Sequence, residues 1–128
     1  MKPESEIRPP LGALNHIAIE VADMRSALKF YKEILGLGEL PMPEGLKEKG
    51  IYWLDLGNSL ALHLVEMPDT FPGRKAHLAI TVADLAVWRQ FLELQNIDFV
   101  PPSIQIYKAE RIFIKDPSGN RIELVKWL

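Results

Sequence analysis

The chain has 128 residues, a formal net charge of −2 at pH 7 and no cysteine. This length fits one compact domain, and a hydrophobic fraction of 48% is ordinary for a globular protein. The charge argues against a nucleic-acid partner, the missing cysteines exclude disulfides and thiolate ligands, and no apolar run is long enough to span a membrane. We therefore expect a cytoplasmic protein with neither a nucleic-acid nor a membrane partner.

The first half of the chain predicts a strand, a helix and three strands. Residues 1–12 are polar and proline-rich, which indicates a flexible arm ahead of a single domain over 13–128. LNHIAIEVA at 14–22 alternates apolar and polar side chains, as a half-buried strand does. Asp23 is a suitable N-cap for the following helical stripe, and Gly36 is suited to closing it. Short strands follow near 38–42, 50–56 and 59–66.

The second half repeats this order of signals. AHLAITVA at 76–83 restarts the first strand, and His16 and His77 stand 61 positions apart. Asp84 and Asn96 can begin and close a second helix, and strands are predicted near 97–100, 110–115 and 120–126. The proline-containing linker 67–75 separates the halves. The sequence therefore predicts an α+β fold of two tandem βαβββ modules, over 13–66 and 76–128.

Because side chains alternate along a strand, the three histidines are expected on the strand faces opposite the helices. His16, His63 and His77 are on the strand faces that point away from the helices, and Glu123 joins them. Any single strand histidine is more often hydrogen-bonded or solvated, but a buried polar group without a partner costs ~1–3 kcal/mol. Imidazole and carboxylate groups together suit a divalent ion of zinc, nickel, cobalt, manganese or iron. We expect these four residues to bind one such metal ion.

Several stretches resemble the vicinal oxygen chelate superfamily, which includes glyoxalase I, fosfomycin-resistance thiol transferases, methylmalonyl-CoA epimerase, extradiol dioxygenases and bleomycin-binding proteins. They are the first strand, FYKEILGL at 30–37, HLAITVAD at 77–84 and DPSGNRIEL at 116–124, and the resemblance extends over 14–126. It implies curved mixed sheets that form a cup around a metal ion. His16 and His77 would be its first-strand ligands, and His63 and Glu123 its last-strand ligands.

The resemblance leaves the reaction open. Glyoxalase I commonly has glutamate where this chain has His63, which puts lactoylglutathione isomerisation in doubt. Four protein ligands favour stabilisation of an enolate or oxyanion by a lyase, isomerase or thiol transferase, with Glu123 and His63 as catalytic residues. Without His63, the ligands match an extradiol-type iron dioxygenase or a thiol transferase. A non-catalytic antibiotic-binding protein is the remaining alternative.

Strand parity and one loop suggest further residues near the metal. Packing or solvated surface is the more common role for each of them. The candidates for contact with the substrate are Trp53, Tyr107, Arg111, Phe113, Lys115 and Arg121. Because modules of this type pair within one chain or between two, and pairing between chains gives equivalent sites at a two-fold interface, we expect a homodimer.

Overall fold

The computed structural model describes residues 1, 3, 6–106 and 108–128. Its strands are β1 His16–Val21, β2 Gly38–Glu39, β3 Ile51–Gly57, β4 Leu60–Glu66, β5 His77–Thr81, β6 Ala109–Lys115 and β7 Arg121–Trp127. Its helices are α1 Met24–Leu28, which continues as a π-helix over Lys29–Ile34, a 3₁₀ turn at Lys47–Lys49, and α2 Leu85–Leu94. In the part of the chain described, no helix is both long and apolar enough to cross a membrane.

Two mixed sheets, ordered β1-β4-β3-β2 and β5-β7-β6, confirm the predicted fold class. In each module the first strand pairs in parallel with the last, while the last two strands form an antiparallel hairpin. The hairpin turns contain Asn58 at φ 53° and Gly119 at φ 93°, conformations that asparagine and glycine adopt readily.

The predicted helix ends are confirmed in both modules. The carboxylates of Asp23 and Asp84 each accept a hydrogen bond from a backbone N–H three residues on, at 2.9 and 3.2 Å. Gly36 and Asn96 take the expected left-handed conformations, at φ 76° and 56°. The first helix differs from the expected α-helix because its second half widens into π geometry.

Two of the predicted strands are shortened or absent. The strand expected near 38–42 pairs only over Gly38–Glu39. The strand expected near 97–100 is wrong, because that segment makes a single bridge, Val100 to Phe113. Pro101 and Pro102 follow at once, and proline has no N–H with which to extend a ladder.

One hydrophobic core extends through both modules. The apolar faces of the strands pack beneath the helices, as alternation predicts. Its buried members include Tyr31, Leu54, Leu62, Leu64, Leu85, Leu92, Ile112, Ile114, Ile122 and Leu124. Because side chains alternate across a strand, burying this face directs the histidines to the opposite one.

A buried carboxylate joins the two modules. Asp116 is 4% exposed and accepts a hydrogen bond from the Tyr31 hydroxyl at 2.7 Å. It also accepts from the backbone N–H groups of Ser118 and Asn120, and Asn120 Nδ2 donates to the Glu20 carbonyl at 2.7 Å. Burial, and then the adjacent Asp116 carboxylate, raise the pKa of Tyr31, so its hydroxyl keeps the donated proton at neutral pH.

We predict that Tyr31→Phe lowers the free energy of unfolding by about 1–3 kcal/mol, because it removes a donor from a buried carboxylate. Urea denaturation followed by circular dichroism measures the change. Tyr52→Phe is the matched control, since that hydroxyl donates to the exposed Glu39 and its loss should cost under ~0.5 kcal/mol. Equal effects of the two substitutions would contradict the proposed role of Asp116.

Candidate functional site

The four predicted metal ligands lie on two sheets. His16 on β1 and His63 on β4 belong to the first sheet, and His77 on β5 and Glu123 on β7 belong to the second. Among the described residues, no three or more histidine, aspartate or glutamate side chains are grouped so that they could hold a metal ion. The structure therefore presents the candidates as two pairs, one in each module.

The first pair forms part of a stack of three rings. The imidazoles of His16 and His63 lie 4.0 Å apart between centroids and 12° from parallel. The indole of Trp53 covers the other side of His63 at 4.5 Å and 5°, because β3 places Trp53 directly opposite His63 on β4. Burial, and then the charge of His16, lower the pKa of His63 below its usual value. His63 is therefore neutral at pH 7.

The second pair places two lone-pair atoms opposite each other. His77 Nδ1 is 2.8 Å from the Lys75 carbonyl oxygen, which can only accept, so Nδ1 carries the proton in neutral His77. The lone pair is then on Nε2, which faces Glu123 Oε1 at 3.8 Å, beyond hydrogen-bond distance. An imidazole oriented by a carbonyl, beside a carboxylate, suits a divalent metal ion.

His16 has the same kind of support. Its Nδ1 lies 2.8 Å from Asn15 Oδ1, which is an acceptor, so in neutral His16 the proton is on Nδ1 and the lone pair is on Nε2. Neither Asn15 nor the Lys75 carbonyl was predicted from the sequence. Each precedes its histidine by one or two residues, and no residue pattern marks such a role.

Glu123 is anchored by Arg111. The carboxylate side chain is 10% exposed, and its Oε1 accepts from Arg111 Nη1 at 2.9 Å. Arg111 Nη2 donates to the Ile104 carbonyl, so one guanidinium connects the candidate ligand to the loop after Pro102. Parity places both residues on one face, but Glu123 lies opposite Phe113 in the ladder, and the pairing with Arg111 is diagonal.

Phe113, another candidate for substrate contact, has its ring between His77 and Arg121. His77 meets its ring edge-on at 5.8 Å, and the guanidinium of Arg121 lies over the ring at 4.9 Å. Lys115 lies opposite Arg121 in the ladder and is exposed. Tyr107 is outside the described residues. Contact between any of these residues and a substrate stays a prediction.

Comparison with known proteins gives one family. The profile of the Glyoxalase/Bleomycin resistance protein/Dioxygenase superfamily matches residues 13–124. The metallothiol transferase FosB of Staphylococcus epidermidis is 27% identical over 122 residues, which cover 89% of this chain and 81% of that protein.

Solved structures share the fold. A proposed glyoxalase family protein from Bacillus anthracis is 27% identical with a TM-score of 0.83, over 95% of this chain and 100% of that one. An antibiotic-binding protein, TnmS3, from Streptomyces sp. CB03234 has a TM-score of 0.73 at 21% identity, over 94% of this chain and 100% of that one. At that identity the second likeness concerns the fold alone.

We predict that Arg111→Met destabilises the protein by about 3–5 kcal/mol, because it leaves the Glu123 carboxylate buried without its partner. In the double variant with Glu123→Leu most of this loss should be recovered, since no charge is then left unpaired. Urea denaturation of the wild type, the two single variants and the double variant gives the coupling free energy between Arg111 and Glu123. Additive effects of the two substitutions would contradict a direct pair.

We also predict that His63 titrates below pH 6.5 in the metal-free protein, because burial disfavours its charged form. Its contribution to stability is then full above pH 6.5 and is lost as pH falls through the lower folded pKa. Trp53→Ala should raise the pKa toward 6.5 by exposing one face of the ring, whereas Tyr52→Ala, on the other face of β3, should not. Histidine NMR titration measures both, and a wild-type value at or above 6.5 would be inconsistent with the stack.

Proposed function

Since the chain belongs to the Glyoxalase/Bleomycin resistance protein/Dioxygenase superfamily, we propose that it is a metal-dependent enzyme acting on neighbouring oxygens of a small metabolite. The observation that carries this proposal is the facing pair of His77 Nε2 and Glu123 Oε1 at 3.8 Å. The Lys75 carbonyl and Arg111 hold the two groups in orientations that leave these atoms toward each other. Thiol transfer is the favoured reaction, because it is compatible with three protein ligands and the metallothiol transferase is a relative of this chain. Lyase or isomerase chemistry would be favoured if His63 were a fourth ligand.

We assign His16, His77 and Glu123 as the metal ligands and His63 as the residue that accepts a proton. The metal would supply Lewis acidity to the bound oxygens of the substrate. His63 is enclosed between His16 and Trp53, and its lowered pKa keeps it unprotonated at neutral pH. A neutral imidazole beside the substrate can take up a proton, whereas a charged one cannot.

The arrangement of the pairs supports a site shared between two chains. One chain presents His16 on its first sheet and the His77–Glu123 pair on its second. In a two-fold dimer in which the first module of each chain faces the second module of its partner, both sites would be complete. The homodimer is part of this proposal.

Mixing two ligand variants tests the metal and the dimer together. His16→Ala and Glu123→Ala are each expected to lose bound zinc or nickel, measured by elemental analysis after dialysis. When equal amounts are unfolded and refolded together, half of the dimers should be mixed, and each mixed dimer should have one unaltered site. Metal content should then return to about a quarter of the wild-type value.

The possible failures are distinct. No recovery on mixing, with both variants metal-free, would place the whole site within one chain and remove the dimer from the proposal. Unchanged metal content in both variants would overturn the ligand assignment and favour a non-catalytic binding protein. Lys126→Ala, an exchange on β7 outside the candidate site, is the control and should bind metal like the wild type.

Two observations together would instead favour the dioxygenase alternative. One is stoichiometric iron in protein purified from iron-containing medium, and the other is oxygen uptake when a catechol is added. That outcome would leave the ligand assignment unchanged, because two histidines and one carboxylate are also the set used by non-haem iron oxygenases.

A further inference from the structure

A strongly cationic cleft adjoins His77 on the second module. It has a volume of about 940 Å³ and lies between the linker, the loop after Val100 and the exposed face of the second sheet. Its described lining residues include Arg74, Lys75, Arg111 and Arg121 and no aspartate or glutamate. This is unexpected in a chain with a formal net charge of −2, in which acidic residues outnumber basic ones by 17 to 15.

Most of this positive charge has no counterpart within the described protein. Arg111 is paired with Glu123 at 2.9 Å. Arg74, Lys75 and Arg121 form no ion pair with any carboxylate in the described ranges. Several like charges beside one concave surface raise the local concentration of anions. A bound anion also reduces the repulsion between these charges.

Arg121 is held in place by packing and not by an acidic side chain. Its guanidinium lies over the Phe113 ring at 4.9 Å, and the Arg111 guanidinium lies over the same ring at 5.6 Å. An aromatic ring fixes a guanidinium without neutralising it or using its N–H donors. The fork of Arg121 is thus available for two parallel hydrogen bonds to an oxyanion.

We infer that the substrate carries an oxyanion, a carboxylate or a phosphoryl group, and that this group binds in the cleft between Arg121, Arg74 and Lys75. The inference rests on the proposed function, because His77 lines the same cleft and would hold the metal beside it. His77 lies directly opposite Arg121 in the β5–β7 ladder, so the oxyanion would bind next to this proposed metal ligand. The cleft therefore defines the class of substrate.

Titration of the metal-free protein with inorganic phosphate and, separately, with acetate tests the inference. Amide NMR shifts at Phe113, Arg121 and His77 should change and saturate with at least one anion, at constant ionic strength set with sodium chloride. Arg121→Gln should weaken that binding about tenfold, the effect of losing a hydrogen bond to a charged group. Arg25→Gln, at an exposed position on α1, changes the net charge equally and should alter the binding less than about twofold.

Comparison of the two anions shows whether the substrate group is a phosphoryl group or a carboxylate. Saturation by phosphate alone indicates a phosphoryl group, and saturation by acetate alone indicates a carboxylate. If Arg121→Gln does not fold, Arg74→Gln takes its place, because Arg74 is exposed in the linker, and it should weaken binding in the same direction. Arg121→Lys should retain part of the affinity, since it keeps the charge and loses the fork.

Two results would overturn the inference. One is the absence of saturable shifts with either anion, and the other is equal weakening by Arg121→Gln and Arg25→Gln. Metal uptake without anion binding would overturn this inference alone. Anion binding by a protein that takes up no metal would instead leave the cleft as a binding site and overturn the proposed function.

Discussion

The arrangement of the two modules depends on the buried Asp116 carboxylate. It lies in the turn between β6 and β7, yet it accepts a hydrogen bond from Tyr31 in the first module. The same turn reaches β1 again, because Asn120 donates to the Glu20 carbonyl and Ser118 Oγ accepts from the Ala22 N–H. These contacts fix the strand that carries His16 relative to the strand that carries Glu123. The turn that contains Asp116 therefore helps to position the strands that carry these two candidate ligands.

The elements that sequence predicts best are those specified by local chemistry. Asp23 and Gly36 define the ends of the first helix because capping and left-handed closure need particular residues at particular positions. The segment 97–100 has an acceptable strand composition, but whether it pairs depends on its neighbours. Pro101 and Pro102 leave Val100 with a single bridge, and the alternation of the preceding residues carries no sign of that limit.

The sequence predicts which strand face carries each residue of the candidate site, but it does not predict which side chains contact each other. A period of two assigns Arg111, Phe113 and Glu123 to one surface whatever the register of the strands. It does not say that Arg111 reaches diagonally to Glu123 while Phe113 lies directly opposite that residue. Which guanidinium is paired with a carboxylate, and which is not, depends on side-chain conformations that only the packed sheet determines. Arg121, over the Phe113 ring, has no such partner among the described residues.

The two modules share a backbone plan, but their exposed sheet faces differ in chemistry. The first offers a stack of the rings of Trp53, His63 and His16, and the second offers the Glu123 carboxylate among several cations. A cationic face is a poor place for a proton acceptor, because positive charge disfavours protonation of a base. Separation of the faces allows each task its own electrostatic environment. The repeat is therefore clear in the apolar positions, in the capping residues Asp23 and Asp84 and in His16 and His77, whereas other polar side chains of the two faces differ.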